Sequence, residues 1–218
     1  MSKLRLRFSK TGTAKYISHL DLIATMTRAL RRAGTVLEYS HGFNPHPYLS
    51  AALPLPVGCA SMCELLDLTV LSAPSYECFT ESVNATLPDG LIVLEAYAPV
   101  RNFKEISWIE LDGLLFFENT PPPLAVKRLT ERFLADSIIV SRKTKRGVSE
   151  FDMIPHIRDV AFSGGDVIKF NVKVSAQNPS VSTDNLISVI RGGCGELTPD
   201  YSIFTRMEIF DGNMEIFR

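Results

Sequence analysis

The sequence is poor in the features that would assign it quickly. It has four cysteines in 218 residues, too few for a disulfide scaffold. It has almost no net charge: 23 Lys+Arg stand against 24 Asp+Glu, a formal −1. No Lys or Arg occurs between residues 35 and 100, and residues 39–63 carry no charged residue at all. That uncharged stretch is not a membrane span, because Pro45, Pro47, Pro54 and Pro56 break the helix that a span requires. The N-terminus alternates basic and apolar residues, unlike a secretory leader. There is no Walker A loop and no RNP1 pattern. Cys59 and Cys63 have the first spacing of a C-x3-C-x2-C cluster motif, but the third position is Leu66, so no iron–sulfur site is expected. These absences predict a cytoplasmic chain with reduced thiols, no membrane and no cofactor.

What is present is an ordinary globular composition, 45% apolar and 22% charged, with a strongly uneven layout. Residues 1–34 hold eight Lys/Arg and one acid; residues 35–100 hold seven acids and no base. The near-zero total is therefore a +7 block followed by a −7 block. Such blocks form a basic contact surface or neutralise each other within one domain.

Residues 3–9 alternate strictly and predict a half-buried strand, with Leu4, Leu6 and Phe8 inward and Lys3, Arg5 and Arg7 on a basic open face. Ser18 and Asp21 form a capping box for a helix that Gly34 stops. Its apolar stripe is Leu22, Ile23, Met26, Ala29, Leu30 and Ala33. Strands over Val36–Ser40, Glu64–Leu71 and Leu91–Ala98, with a helix over Ser75–Leu87, complete a strand–helix–strand–strand–helix–strand order in 1–100. The remainder, 101–218, repeats it loosely. Ile106–Phe117 is a strand with a kink at Asp112-Gly113. A helix opens at Pro121–Pro123. A hairpin over Ser137–Met153 turns at 144–147. A strand over Val167–Ser175, a helix from Thr183 stopped by Gly192-Gly193, and a strand over Tyr201–Phe210 follow. The expected fold is α+β: two tandem ferredoxin-like domains with antiparallel sheets, the second carrying an inserted hairpin. One α+β sheet spanning both halves is the alternative.

Four stretches carry a resemblance: FSKTGTAKYISHLDL (8–22), ALRRAG (29–34), YSHGFNPHP (39–47) and ALPLPVG (52–58). Weaker echoes are LPDGL (87–91), Arg142/Lys143 with Arg146-Gly147, Asp152 with Pro155, and Thr205-Arg206. Together they resemble the radical SAM-linked (radical SAM-associated) protein family, a bacterial family of uncharacterised function. The resemblance implies a partnership with a B12-binding-type radical SAM protein, not a radical SAM enzyme. The chain departs from the family's pattern at His41, where an acid is common, and at Thr205-Arg206, where Arg-Thr is usual.

Several constellations are chemically suggestive. His19, Asp21, His41 and His46 fall within 30 residues, as metal ligands or as a helix cap with surface histidines. No metal is assigned to them. His19 or His46 is the candidate general acid/base, with Lys15, Arg28, Arg31 and Arg32 as cations for a phosphorane. Lys10 and Lys15 flank a short loop that is a phosphate cradle or a solvated turn. Gly42–Pro47 reads as a rigid loop presenting Phe43, Asn44, His46 and Tyr48. Phe43 either stacks on a base or plugs the core. Arg142 and Arg146 sit on the hairpin, as a phosphate-backbone arm or a solvated tip.

The candidate substrate-binding set is thus Lys10, Lys15, Ser18, His19, Asp21, Arg31, Phe43, Asn44, His46, Tyr48, Arg142 and Arg146. The leading expectation is an accessory protein, not itself an enzyme, binding or presenting an anionic substrate such as RNA. The alternatives are a metal-independent endoribonuclease using a histidine, and a purely structural protein–protein adaptor.

Overall fold

Alternating apolar residues place the first strand, β1 (Ser2–Lys10), against the core through Leu4, Leu6 and Phe8. In the computed structural model, which describes residues 2–72, 75–118, 122–144, 147–165, 167–194 and 199–218, the chain divides into two units. Unit 1 is Met1–Glu105 with Arg218; unit 2 is Ile106–Phe217.

In unit 1, β1 pairs antiparallel with β4 (Ala60–Ser72) on one side and β5 (Leu91–Tyr97) on the other. Helices α1 (His19–Arg32) and α2 (Tyr76–Asn84) contribute to its core. Met26, Leu30 and Val83 are fully buried against Leu6, Phe8, Leu66 and Val93. Ser18 caps α1 as its sequence predicts: its Oγ accepts from the Asp21 amide at 3.2 Å and its hydroxyl donates to Asp21 Oδ2 at 2.7 Å.

The edge beside β4 is built differently from the expected strand at Val36–Ser40. A two-residue strand, β2 (Val36–Leu37), and a three-residue strand, β3 (Leu49–Ala51), both pair antiparallel with β4. Between them, Thr69 of β4 receives Glu38 N–H on its carbonyl (3.0 Å) and gives its own N–H to the Tyr48 carbonyl (3.1 Å). Two residues ten apart in sequence share the pairing work of one. Residues 39–47 therefore leave and rejoin a single edge line. Their neck is closed by a Tyr39–Pro47 bridge, by Ser40 N–H on the His46 carbonyl (2.8 Å) and by Tyr48 N–H on the Glu38 carbonyl (3.0 Å).

The opposite edge, β5, is closed by a side chain. Asn84 Nδ2 donates to the Val93 carbonyl at 2.9 Å, and its Oδ1 accepts from Val93 N–H at 2.8 Å. The amide satisfies both outward-facing backbone groups of one strand residue.

In unit 2, β6 (Ile106–Phe116) lies between β11 (Tyr201–Asp211) and β10 (Ile168–Ser175), and β10 pairs with β9 (Ile157–Ser163), all antiparallel. Helices α3 (Pro122–Phe133) and α4 (Thr183–Cys194) complete it. The hairpin is present as β7 (Ile139–Thr144) and β8 (Gly147–Asp152). Two expectations are corrected here, and one strand is added. The β6 strand continues through Gly113 rather than breaking. A Cβ there would stand 3.1 Å from the Phe204 ring and 3.2 Å from Phe170, so the glycine makes room for packed aromatics. The helix α4 runs through Gly192-Gly193, because helical hydrogen bonding outweighs glycine's modest propensity cost. Strand β9 was not expected at all; Asp159 within it has φ +52°, and the pairing slips there, which interrupts its alternation.

The described residues form a mixed α+β protein with mostly antiparallel sheet and four α-helices. No helix among the described residues is long and apolar enough to cross a membrane.

Candidate functional site

The basic open face expected on β1 is only partly open. Arg5 is 1% exposed. Its Nε and Nη2 reach Asp67 Oδ1 and Oδ2 at 2.6 and 2.9 Å, Nη2 also donates to the Arg101 carbonyl (2.9 Å), and Phe103 covers the guanidinium at 4.2 Å. Part of the basic block is thus neutralised inside its own unit by the acidic block. Tyr97 lies across from Arg5 on β5, and burial pushes its phenol above the ordinary value, with Arg5 pulling the other way.

Lys10 is corrected in the same way. It ends β1, is 1% exposed, and donates to the Ile17 carbonyl at 3.1 Å. It braces the chain entering α1, and it does not face solvent from a loop. Residues Gly12–Tyr16 form a 3-10 turn that carries Lys15 outward, its ammonium 5.0 Å over the Tyr16 ring. Lys15 and Lys10 therefore do not form the two-cation cradle.

Ser18, the cap of α1, and Asp21 in its first turn are hydrogen-bonded to each other. His19 is the first residue of α1 and half-buried. Among the described residues no group of three His, Cys, Asp or Glu stands ready to hold a metal. On the last turn of α1, Arg32 donates to the Thr86 carbonyl at 2.6 Å. Arg31 is exposed and borders an open hollow of about 650 Å³ lined by Gly34, Thr35 and Tyr39.

The 39–47 excursion carries the most pronounced feature. Phe43 is fully exposed at 106% of its reference area, so it does not plug the core. Asn44 and His41 are exposed beside it. His46 holds the neck: its amide donates to Ser40 Oγ at 3.1 Å, and its Nδ1 lies 2.9 Å from the same hydroxyl. The same Nδ1 lies 3.4 Å from the Asn44 carbonyl oxygen, so this edge of the imidazole sits between residues 40 and 44.

Tyr48 emerges from the excursion onto the sheet. There it borders a smaller pocket of about 180 Å³ with Lys3, Leu49, Ser50, Asp67, Leu68 and Thr69. The register explains the convergence. Lys3 pairs with Thr69, and Ser50 pairs with Asp67, which pairs in turn with Arg5. These are alternate positions on the sheet face opposite Leu4, Leu6 and Leu68. Lys3, Ser50 and Thr69 were not expected at a site. Only the β1 alternation pointed to Lys3, and β3 is too short for any period to show.

The structure brings together Tyr48 and Lys3, and separately Phe43, Asn44 and His46. In unit 2 the backbone of Arg142 pairs with Ser149 on the hairpin, while Arg146 lies outside the described residues.

A comparison with curated proteins finds no match. Among solved structures, the chain is similar to one in a Cbf5-Nop10-Gar1 complex, with a TM-score of 0.52 and 13% identity. The likeness covers 94% of this chain and 48% of the other, so this chain spans about half that protein's length. At that identity the likeness concerns fold alone. A family model matches residues 3–183, which takes in α1, the 39–47 excursion, the pocket and most of unit 2; the chain belongs to the DUF2344 family, described as uncharacterized protein conserved in bacteria.

Proposed function

We propose that this chain is a binding module for single-stranded RNA, presenting it to a B12-binding-type radical SAM protein. The partner rests on the resemblance of residues 8–58. The RNA rests chiefly on one observation: Phe43 stands wholly in solvent on a neck closed by backbone and side-chain hydrogen bonds. A scattered surface aromatic needs no explanation. One held out on a braced excursion loses little entropy on binding and offers a stacking face to an unpaired base. Lys15, Arg28 and Arg31 supply cations on α1 and the turn before it.

The same reading treats each unit as one copy of the split βαβ plan. The orders β5-β1-β4-β2/β3 and β11-β6-β10-β9 support a tandem ferredoxin-like duplication.

The test is filter binding of a single-stranded oligoribonucleotide across a salt series. Phe43→Ala weakens binding by roughly 5- to 100-fold, the worth of one stacked base. The double variant Lys15→Ala/Arg31→Ala flattens the log–log salt slope by about 0.7 per lost contact. Absence of RNA binding at low salt, with the chain still captured by the radical SAM partner, rejects the RNA reading in favour of a protein–protein adaptor.

A further inference from the structure

We propose that the sheet face of unit 1 carries a phosphoryl-binding pocket, formed by Lys3, Tyr48, Ser50 and Thr69 beside the Arg5–Asp67 pair. The proposal rests on the RNA reading only for the identity of the larger ligand.

The polar part of the pocket's lining is rich in groups that can donate. Its one carboxylate, Asp67, is gripped through both oxygens by Arg5, at 2.6 and 2.9 Å. Its charge is thereby answered from within the wall, along with one acceptor site on each oxygen. Lys3 is exposed, and among the described residues no ion pair engages it. Among the same residues no protein hydrogen bond engages the hydroxyls of Tyr48, Ser50 or Thr69. The residues that line this one space thus carry an ammonium with three N–H donors and three rotatable hydroxyls.

Such a site suits a ligand that only accepts hydrogen bonds and carries negative charge. A phosphoryl group, with three or four oxygens on a tetrahedral centre, can occupy four separate donors at once. A carboxylate offers its acceptor sites in one plane, which suits donors spread around a hollow less well. Size narrows the ligand further. At about 180 Å³ the pocket is below the ~300–1,000 Å³ of ordinary small-molecule sites, so it holds one functional group of a larger molecule. Tyr48 links this pocket to the neck of the 39–47 excursion, since its N–H bonds the Glu38 carbonyl there. A chain phosphate in the pocket and a base on Phe43 would then engage one strand from the two ends of the same loop.

The experiment is an amide NMR titration of the full chain with inorganic phosphate at constant ionic strength. Saturable shifts at Ser50, Asp67 and Thr69 are expected. Lys3→Met should weaken them by about 10-fold or more, and Ser50→Ala and Tyr48→Phe by about 3- to 10-fold each. The remaining amides of each variant report that the fold is kept. Shifts that do not saturate, or that are equal in wild type and Lys3→Met, overturn the proposal. Oligoribonucleotides with a 5′-phosphate or a 5′-hydroxyl separate the phosphate's sources. Lys3-dependent preference for the former assigns a chain end, and equal, Lys3-dependent binding of both assigns an internal diester. If inorganic phosphate saturates the pocket while no RNA binds, the pocket stands and the RNA reading falls.

Discussion

Removing the negative charge at Asp67 would leave the Arg5 guanidinium, 1% exposed, without this carboxylate. Arg5 has the Arg101 carbonyl and the Phe103 ring as further neighbours, but neither carries a compensating charge. Asp67→Asn is therefore expected to cost about 3 kcal/mol, seen as a lower urea midpoint with an unchanged slope. Asp67 is itself 30% exposed, which puts the figure at the low end for broken buried pairs. Replacing both partners by apolar residues should recover much of the loss, because the penalty lies in the unpaired charge. Gly90 makes a second single-residue prediction. It has φ +87°, and a Cβ there would lie 2.5 Å from the Thr11 carbonyl oxygen. Thr11 N–H in turn bonds the Gly90 carbonyl at 2.8 Å, so the neighbour cannot easily withdraw. Gly90→Ala should cost roughly 3 kcal/mol, read from thermal unfolding, against about 0.5 kcal/mol gained by the same change at an unstrained position.

At the scale of elements, edges and hairpins make the testable statements. Asn84 closes β5 at Val93 with two hydrogen bonds, and Ile92 and Leu94 flank that point exposed. Asn84→Ala should cost about 2 kcal/mol and, by baring an apolar strand edge, promote concentration-dependent self-association in light scattering. The β7–β8 hairpin is held at its base by Asp152, whose Oδ1 accepts from the amides of Ile138 (2.9 Å) and Ile154 (3.1 Å). Those bonds, the Ile138 amide first, hold its carboxyl below the ordinary aspartate value. The stabilisation is fully present above the unfolded aspartate value and is lost as pH falls through the folded one. Protection factors in the hairpin, taken relative to the intrinsic exchange rate at each pH, should thus fall on acidification in wild type and stay level in Asp152→Asn. These elements also show what a sequence can and cannot say. The Ser18–Asp21 cap was legible because both partners lie within one helical turn. The β1 alternation was legible too, but it named Arg5 as exposed. Burial there depends on Asp67 and Phe103, 62 and 98 positions away, and no local period carries that. The β2–β3 line was illegible for the same reason, since its continuity exists only through Thr69.

For the whole molecule, the charge layout matters more than its sum. Arg5 answers Asp67, so part of the +7 block cancels against the −7 block within unit 1, and Arg218, from outside both blocks, answers Glu95 at 3.3 Å. Lys3, Arg28 and Arg31 remain exposed, with Lys15 partly so. A protein with a formal charge of −1 can therefore still show a cation-dominated footprint locally, and its ligand affinity should fall with salt even though its pI is about 6.4.

The sharing of Thr69 by Glu38 and Tyr48 makes the 39–47 loop an interchangeable part. Because the sheet is already complete on both sides of the neck, its length and composition can vary without disturbing the scaffold, and recognition can diverge while the fold is inherited intact. A chain in which two glycines replace 41–45 keeps the neck residues Tyr39, Ser40, His46 and Pro47; it should retain its circular dichroism and come within a few degrees of the parent melting temperature, closing a shorter loop at little entropic cost. It should lose whatever Phe43 contacts. The same neck would accept a different insert, which makes it the place to graft new specificity onto unit 1.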